Sequence, residues 1–124
     1  LSLINALGVS YLYNHQIDLA LESFLKAIDL KNKINYPHDL LKIYHNLGLT
    51  YTWLGDFSQA ITAYEQSIRL AKELKILALA VTYNNLATIY NLKGEYNKAY
   101  QNCLEGLEIV EKINDNVLKR YDNA

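Results

Sequence analysis

A short pattern recurs three times along the chain. Leu7-Gly8-x-x-Tyr11 returns as Leu47-Gly48-x-x-Tyr51 after a shift of 40 residues, and as Leu86-Ala87-x-x-Tyr90 after a further 39. A second set follows at constant distance: Ala20/Ala60/Ala99, Phe24/Tyr64/Cys103, Ala27/Ser67/Gly106 and Ile28/Ile68/Leu107. Ile4, Tyr44 and Tyr83 precede the three sets. Such repetition constrains the fold more than any other feature. Each copy is one supersecondary unit, and it buries its apolar face by stacking on its neighbours.

The spacing says what the unit is. Positions 4, 7, 8 and 11 of each copy share one helical face, as do positions 17, 20, 21, 24, 27 and 28. Each copy is therefore two helices, A and B. The small residues let the two axes approach closely, and the large ones fill the space between them. A glycine inside a helix, such as Gly48, costs about 1 kcal/mol against alanine. Only close packing offsets that cost.

Turn signals divide the chain consistently with this reading. Helix A of the first unit runs from Ser2 to about Tyr13, with Asn14 or His15 taking the left-handed closing position that Gly55 and Gly94 hold elsewhere. Helix B runs from Ile17 to about Lys33, and Asn35-Tyr36-Pro37 breaks it. The second unit has helix A from His38 to Leu54, then Asp56 and Gln59 as a capping box opening a helix B that runs to about Leu74. The third has helix A to about Lys93 and helix B to about Ile113. Asn114-Asp115-Asn116 reads as a turn, with a further, truncated helix over 116–124. The units span about 1–35, 38–75 and 77–113.

These residues resemble the tetratricopeptide repeat (TPR). The second copy carries the likeness best, in Leu47-Gly48, Tyr51, Gly55-Asp56-Phe57, Ala60, Tyr64 and Ser67. The usual closing proline is replaced by Asn32, Lys72 and Glu111, and Cys103 and Gly106 replace an aromatic and an alanine in the third copy. The period of 39–40 resembles the long-repeat subclass found in motor and polarity adaptors and bacterial signalling proteins. The resemblance implies an all-α, right-handed α-solenoid of antiparallel helix hairpins, three TPR units plus a partial C-terminal helix. It also implies a protein- or peptide-binding scaffold whose A helices line a concave groove.

On that reading the groove face is positions 2, 5, 6, 9, 12 and 13 of each unit. The first unit presents Ser2, Asn5, Ala6, Val9, Leu12 and Tyr13 there; the second presents Lys42, His45, Asn46, Leu49, Thr52 and Trp53. The third presents Val81, Asn84, Asn85, Thr88, Asn91 and Leu92. The face is almost uncharged and rich in asparagine. An asparagine amide offers two donors and an acceptor, which suits clasping a peptide backbone. Asn46 and Asn85, just before the Leu-Gly and Leu-Ala pairs, match the position that serves this purpose in similar proteins. The expected site is Asn5, Tyr13, Lys42, His45, Asn46, Leu49, Trp53, Asn84, Asn85, Thr88 and Asn91, with Trp53 and Tyr13 as apolar anchors. Two plainer roles stand beside it. The asparagines could bond only to each other, and Trp53 could only pack on the next repeat. The carboxylate clamp of other TPR proteins is incomplete, since Lys42 is the only cation on this face besides His45.

Composition narrows the remaining classes. Lys and Arg total 12 against 13 Asp and Glu, so no basic surplus points to nucleic acid. No apolar run reaches the roughly 20 residues that span a bilayer, and no signal-peptide pattern is present. A cytoplasmic location is expected. His38 and His45 lack a third ligand at metal-site spacing, and neither a nucleophile–base pair nor a phosphate loop occurs. An enzyme, a metal and a cofactor are therefore not expected. Cys103 sits at a packing position, which predicts a buried, inert thiol. Glu22, Asp29, Glu65 and Glu105 read as solvated surface. The chain starts at Leu1 and contains no Met, the look of a piece of a longer protein. Repeats without polar caps are expected to self-associate end to end. The alternative function is a regulatory, sensory or dimerising segment of a multidomain signalling protein.

Overall fold

The computed structural model describes the backbone of residues 2–30, 37–74 and 78–122. Its elements are α1 (Ser2–Tyr13), α2 (Ile17–Asp29), α3 (Pro37–Leu54), α4 (Phe57–Leu74), α5 (Ala78–Leu92) and α6 (Tyr96–Asp122). Among the described residues there is no strand, and the architecture is an all-α helical repeat. Two compact units are present, Leu1–Leu74 holding α1 to α4 and Lys75–Ala124 holding α5 and α6. The expected break at Asn35-Tyr36 and the link Lys75-Ile76-Leu77 lie outside the described residues. So does the end of the first helix B beyond Leu30.

All three hairpins turn by one device. The N–H groups of Gln16, Asp56 and Glu95 donate to the carbonyls of Tyr11, Tyr51 and Tyr90 at 2.9, 2.9 and 2.8 Å. Those of His15, Gly55 and Gly94 donate to Leu12, Thr52 and Asn91 at 3.0, 3.1 and 3.1 Å. This double bond is the Schellman arrangement, and it needs a left-handed residue just past the helix. Gly55 and Gly94 supply it at φ 78°, and His15 at φ 59°. Helix B then starts at once, with Ala20, Ala60 and Ala99 donating to the carbonyls of Gln16, Asp56 and Glu95. Only half of the expected capping box forms. Gln59 N–H donates to Asp56 Oδ1 at 3.3 Å, while the Asp56 N–H is already committed to Tyr51.

The recurring small residues bring the helices together as their spacing requires. A Cβ placed on Gly8 would lie 2.5 Å from the Phe24 ring, and one on Gly48 would lie 2.7 Å from the Tyr64 ring. Both rings are buried. Ala20, Phe24 and Ala27 of α2 share one apolar cluster with Leu12 of α1, Ile43 and Leu47 of α3, and Ala63 of α4. Ser67, at the small position of α4, also donates its buried hydroxyl to the Leu41 carbonyl of α3 at 3.2 Å. In the second unit Tyr83 of α5 hydrogen-bonds the Glu105 carboxylate of α6. Burial, then that carboxylate, push the phenol well above the ordinary tyrosine range.

Three expectations are corrected, and a fourth is refined. Leu7 is 48 % exposed, although Leu47 at the same position is buried, because no helix lies against that side of α1 among the described residues. Asn114-Asp115-Asn116 is not a turn: α6 runs through it to Asp122. Asn and Asp are only weak helix opponents, and neither Gly nor Pro follows Gly106 to stop the helix. Cys103 is exposed, not buried. Its short side chain stands where Phe24 and Tyr64 reach across to their A helices. Glu105 is exposed as expected, yet it partners Tyr83 rather than only water.

Candidate functional site

The expected groove residues divide between the two units. In the first, α1 and α3 lie side by side and one amide pair joins them. Asn46 Nδ2 donates to Asn5 Oδ1 at 3.0 Å, and both residues are half-buried. The contact fixes both amides and leaves donors on Asn5 and an acceptor on Asn46 beyond this bond. Thr50 and Thr52 turn their hydroxyls inward to the Asn46 and Gly48 carbonyls of their own helix, at 2.7 and 2.8 Å. The polar content of this surface is thus carried mainly by the asparagine amides.

Aromatic side chains stand at the C-terminal ends of the same two helices. Tyr13 is 81 % exposed and Trp53 50 % exposed. His15 stacks on Trp53, with ring centroids 6.3 Å apart and planes 21° from parallel. That stack was not foreseen. Its signal was available in the repeat register, which sets the turn of one hairpin beside the end of the next A helix. Trp53 therefore has one ring face supported by His15 and half its surface in solvent.

The other expected members differ in their surroundings. Lys42 is exposed. His45 is half-buried and meets the Tyr64 ring edge-on at 5.5 Å, so it packs toward α4. Leu49 and Val9 are half-buried against the apolar cluster, and Leu12 is 4 % exposed and belongs to it. Leu12 is a core residue, not a groove residue, because it shares the apolar cluster with Phe24 of α2 and Leu47 of α3.

Burial holds the His45 imidazole below its ordinary pKa near 6.5. The unfolded chain thus takes up a proton at a higher pH than the folded one. The contribution to stability is complete above about pH 6.5 and is lost as pH falls through the lowered folded value. Thermal unfolding between pH 5 and 8 is expected to show a drop in midpoint on acidification, and His45→Asn to flatten it. Parallel profiles for the two proteins would remove His45 as the cause.

The second unit carries Asn84, Asn85, Thr88 and Asn91 on α5. Asn84, Thr88 and Asn91 are exposed, Asn85 is half-buried, and the Thr88 hydroxyl donates to the Asn84 carbonyl at 3.1 Å. Asn84 borders a groove of about 300 Å³ between α5 and α6, along with Asn102, Cys103, Gly106 and Leu107. The amide thus faces α6 as well as solvent. No helix among the described residues is long and apolar enough to cross a membrane.

Comparison with known proteins agrees with this architecture. A tetratricopeptide-repeat model matches residues 1–73 and a second one matches 79–115. The chain is 27 % identical over 116 residues to the transcriptional activator NprA of Geobacillus stearothermophilus, covering 94 % of this chain and 29 % of that protein. It is 28 % identical over 98 residues to the protein kinesin light chain-related 2 of Arabidopsis thaliana, covering 77 % of this chain and 15 % of that protein. It thus spans under a third of the length of these curated relatives. Among solved structures, the TPR domain of Arabidopsis FLU superimposes with a TM-score of 0.81 at 21 % identity, covering 88 % of this chain and 92 % of that one. With a family match over more than half its length, the chain belongs to the tetratricopeptide-repeat family.

Proposed function

We propose that this TPR segment is a protein-binding scaffold whose A-helix surface, centred on Asn5, Asn46 and Trp53, holds an extended segment of a partner. One observation carries the reading: the Asn46–Asn5 amide pair joins neighbouring A helices and keeps hydrogen-bonding capacity in reserve. A peptide backbone supplies the complementary donors and acceptors, and the half-exposed Trp53 supplies an apolar anchor beside them. Each net hydrogen bond contributes about 0.5–1.5 kcal/mol, so Asn46→Ala should weaken binding by roughly tenfold at most. Trp53→Ala should weaken it more, as buried aromatic anchors contribute about 2 kcal/mol or more. Peptides selected from a random phage-displayed library on the wild-type chain provide the probe. Undiminished binding of those peptides by both variants would contradict the proposal.

A second reading rests on the likeness to a transcriptional activator over 94 % of this chain. There the surface would receive a regulatory protein or peptide, and an attached domain would act on the outcome. No catalytic step is assigned to this segment. The two readings share the same surface, and the second adds the prediction that partner binding changes the output of the full-length protein.

A further inference from the structure

One of the three left-handed turn residues departs from the other two. Gly55 and Gly94 close their A helices at φ 78°, whereas His15 closes the first at φ 59°. A side chain is costly in that conformation, and glycine adopts it freely. The turn itself does not need the imidazole. The His15 N–H donates to the Leu12 carbonyl at 3.0 Å, and the glycines make the same bond at 3.1 Å in the other two hairpins. Space does not decide the choice either, since a Cβ on Gly55 or Gly94 would meet no atom within 4 Å among the described residues. The side chain of His15 is exposed, so the core does not hold it there.

What the imidazole meets is Trp53. A centroid separation of 6.3 Å and a plane angle of 21° lie within the range of offset-stacked aromatic pairs. Among the described residues the His15 side chain takes part in no hydrogen bond or ion pair. The two rings also occur together in the sequence. One repeat further on, the same two register positions hold Gly55 and Leu92, with a ring at neither. Trp53 in turn follows Asn46 by seven residues, which puts both on one face of α3. An indole held in place therefore keeps a fixed relation to the Asn46–Asn5 amide pair.

We infer that His15 is a positioning residue for partner binding: it acts through Trp53, holding the indole in one orientation before a partner segment arrives. The inference rests on the reading of the A-helix surface as the binding site. A half-exposed tryptophan at a helix end has several orientations open to it, and a side chain that is immobilised only on binding weakens the complex. The stack removes that loss in advance. The left-handed backbone at His15 is then the cost of placing a ring where a glycine would close the turn equally well.

Peptides selected from a random library on the wild-type chain serve as the probe, with affinity measured by calorimetry. His15→Gly and His15→Asn each keep a residue that accepts the left-handed turn and remove the ring. Each should weaken binding about 2- to 10-fold, the range of one aromatic pair. The thermal midpoint of each should stay within about 4 °C of wild type, since relief at the backbone offsets the lost stack. His15→Tyr returns a ring to the position and should bind within about twofold of wild type. Wild-type affinity in His15→Gly would overturn the inference, and so would a loss that His15→Tyr does not recover. Trp53→Ala separates this inference from the reading beneath it. If Trp53→Ala binds like wild type, the surface reading fails and His15 has nothing to position. If Trp53→Ala loses affinity and His15→Gly does not, the surface reading stands and the role of His15 alone is overturned.

Discussion

Replacing Phe24 by alanine is expected to lower the stability of the first unit by about 3–5 kcal/mol. The ring is fully buried, lies against Gly8 and shares a cluster with Leu12, Ile43, Leu47 and Ala63. Its loss opens a cavity that the glycine opposite cannot fill. A domain of this size has a total stability of about 5–15 kcal/mol, so a large share of it is at stake. Cys103→Ala alters the same register position in the third hairpin, where the side chain is exposed. That change should stay within about 0.5 kcal/mol of wild type. Urea unfolding followed by circular dichroism measures both. Equal losses at the two positions would mean that the three hairpins are packed alike, contrary to the structure.

Gly48→Ala and Gly106→Ala should have opposite signs. A Cβ on Gly48 would meet Cδ1 and Cε1 of Tyr64 at 2.7 Å, and that ring is 1 % exposed and has nowhere to move. Overpacking of this kind costs about 1–3 kcal/mol. The gain in helix propensity, about 1 kcal/mol, offsets part of it. The net expectation is a loss of up to about 2 kcal/mol for the fold. At Gly106 the nearest atom is Tyr83 Cβ at 3.4 Å, an ordinary contact. Propensity then wins, and the substitution should stabilise by about 0.5–1 kcal/mol. The same urea experiment decides. A stabilising Gly48→Ala would show that the Tyr64 ring yields, and that close approach is not what keeps glycine there.

Periodicity made the hairpins legible because each recurring residue does a local job. Leu-Gly-x-x-Tyr encodes the buried face of helix A together with the residue whose carbonyl closes the turn. Gly55 and Gly94 announce the left-handed position, and the register alone passes that role to His15. What failed depended on neighbours rather than on spacing. Leu7 and Leu47 are identical in pattern, and only the presence of α2 beside Leu47 separates their burial. Cys103 looks like a core residue until its length is compared with that of Phe24 and Tyr64. Asn114-Asp115-Asn116 has turn composition but no residue that prevents a helix, so α6 runs through it. Of the candidate site, the placement of some residues was legible. Asn5 and Asn46 meet as their positions predict, while His45 lies against the Tyr64 ring and Leu12 joins the apolar cluster.

The Asn46–Asn5 bond also bears on why asparagine occurs on a face with so little charge. Buried or half-buried amides need partners, and each supplies one to the other while a ligand is absent. The arrangement orders both side chains, which under the proposed function would lower the entropy lost on binding a peptide. His15 performs the same service for Trp53 by stacking on one face of the indole.

Trp53 is the single tryptophan, so its fluorescence reports on the proposed surface without labelling. A synthetic peptide recovered from the random library, titrated into the wild-type chain, gives the most direct test. The account predicts a saturable blue shift of the Trp53 emission as the half-exposed indole is covered, at a concentration that rises in Asn46→Ala. A peptide that binds by calorimetry yet leaves the Trp53 emission unchanged would place the binding site elsewhere and contradict the account.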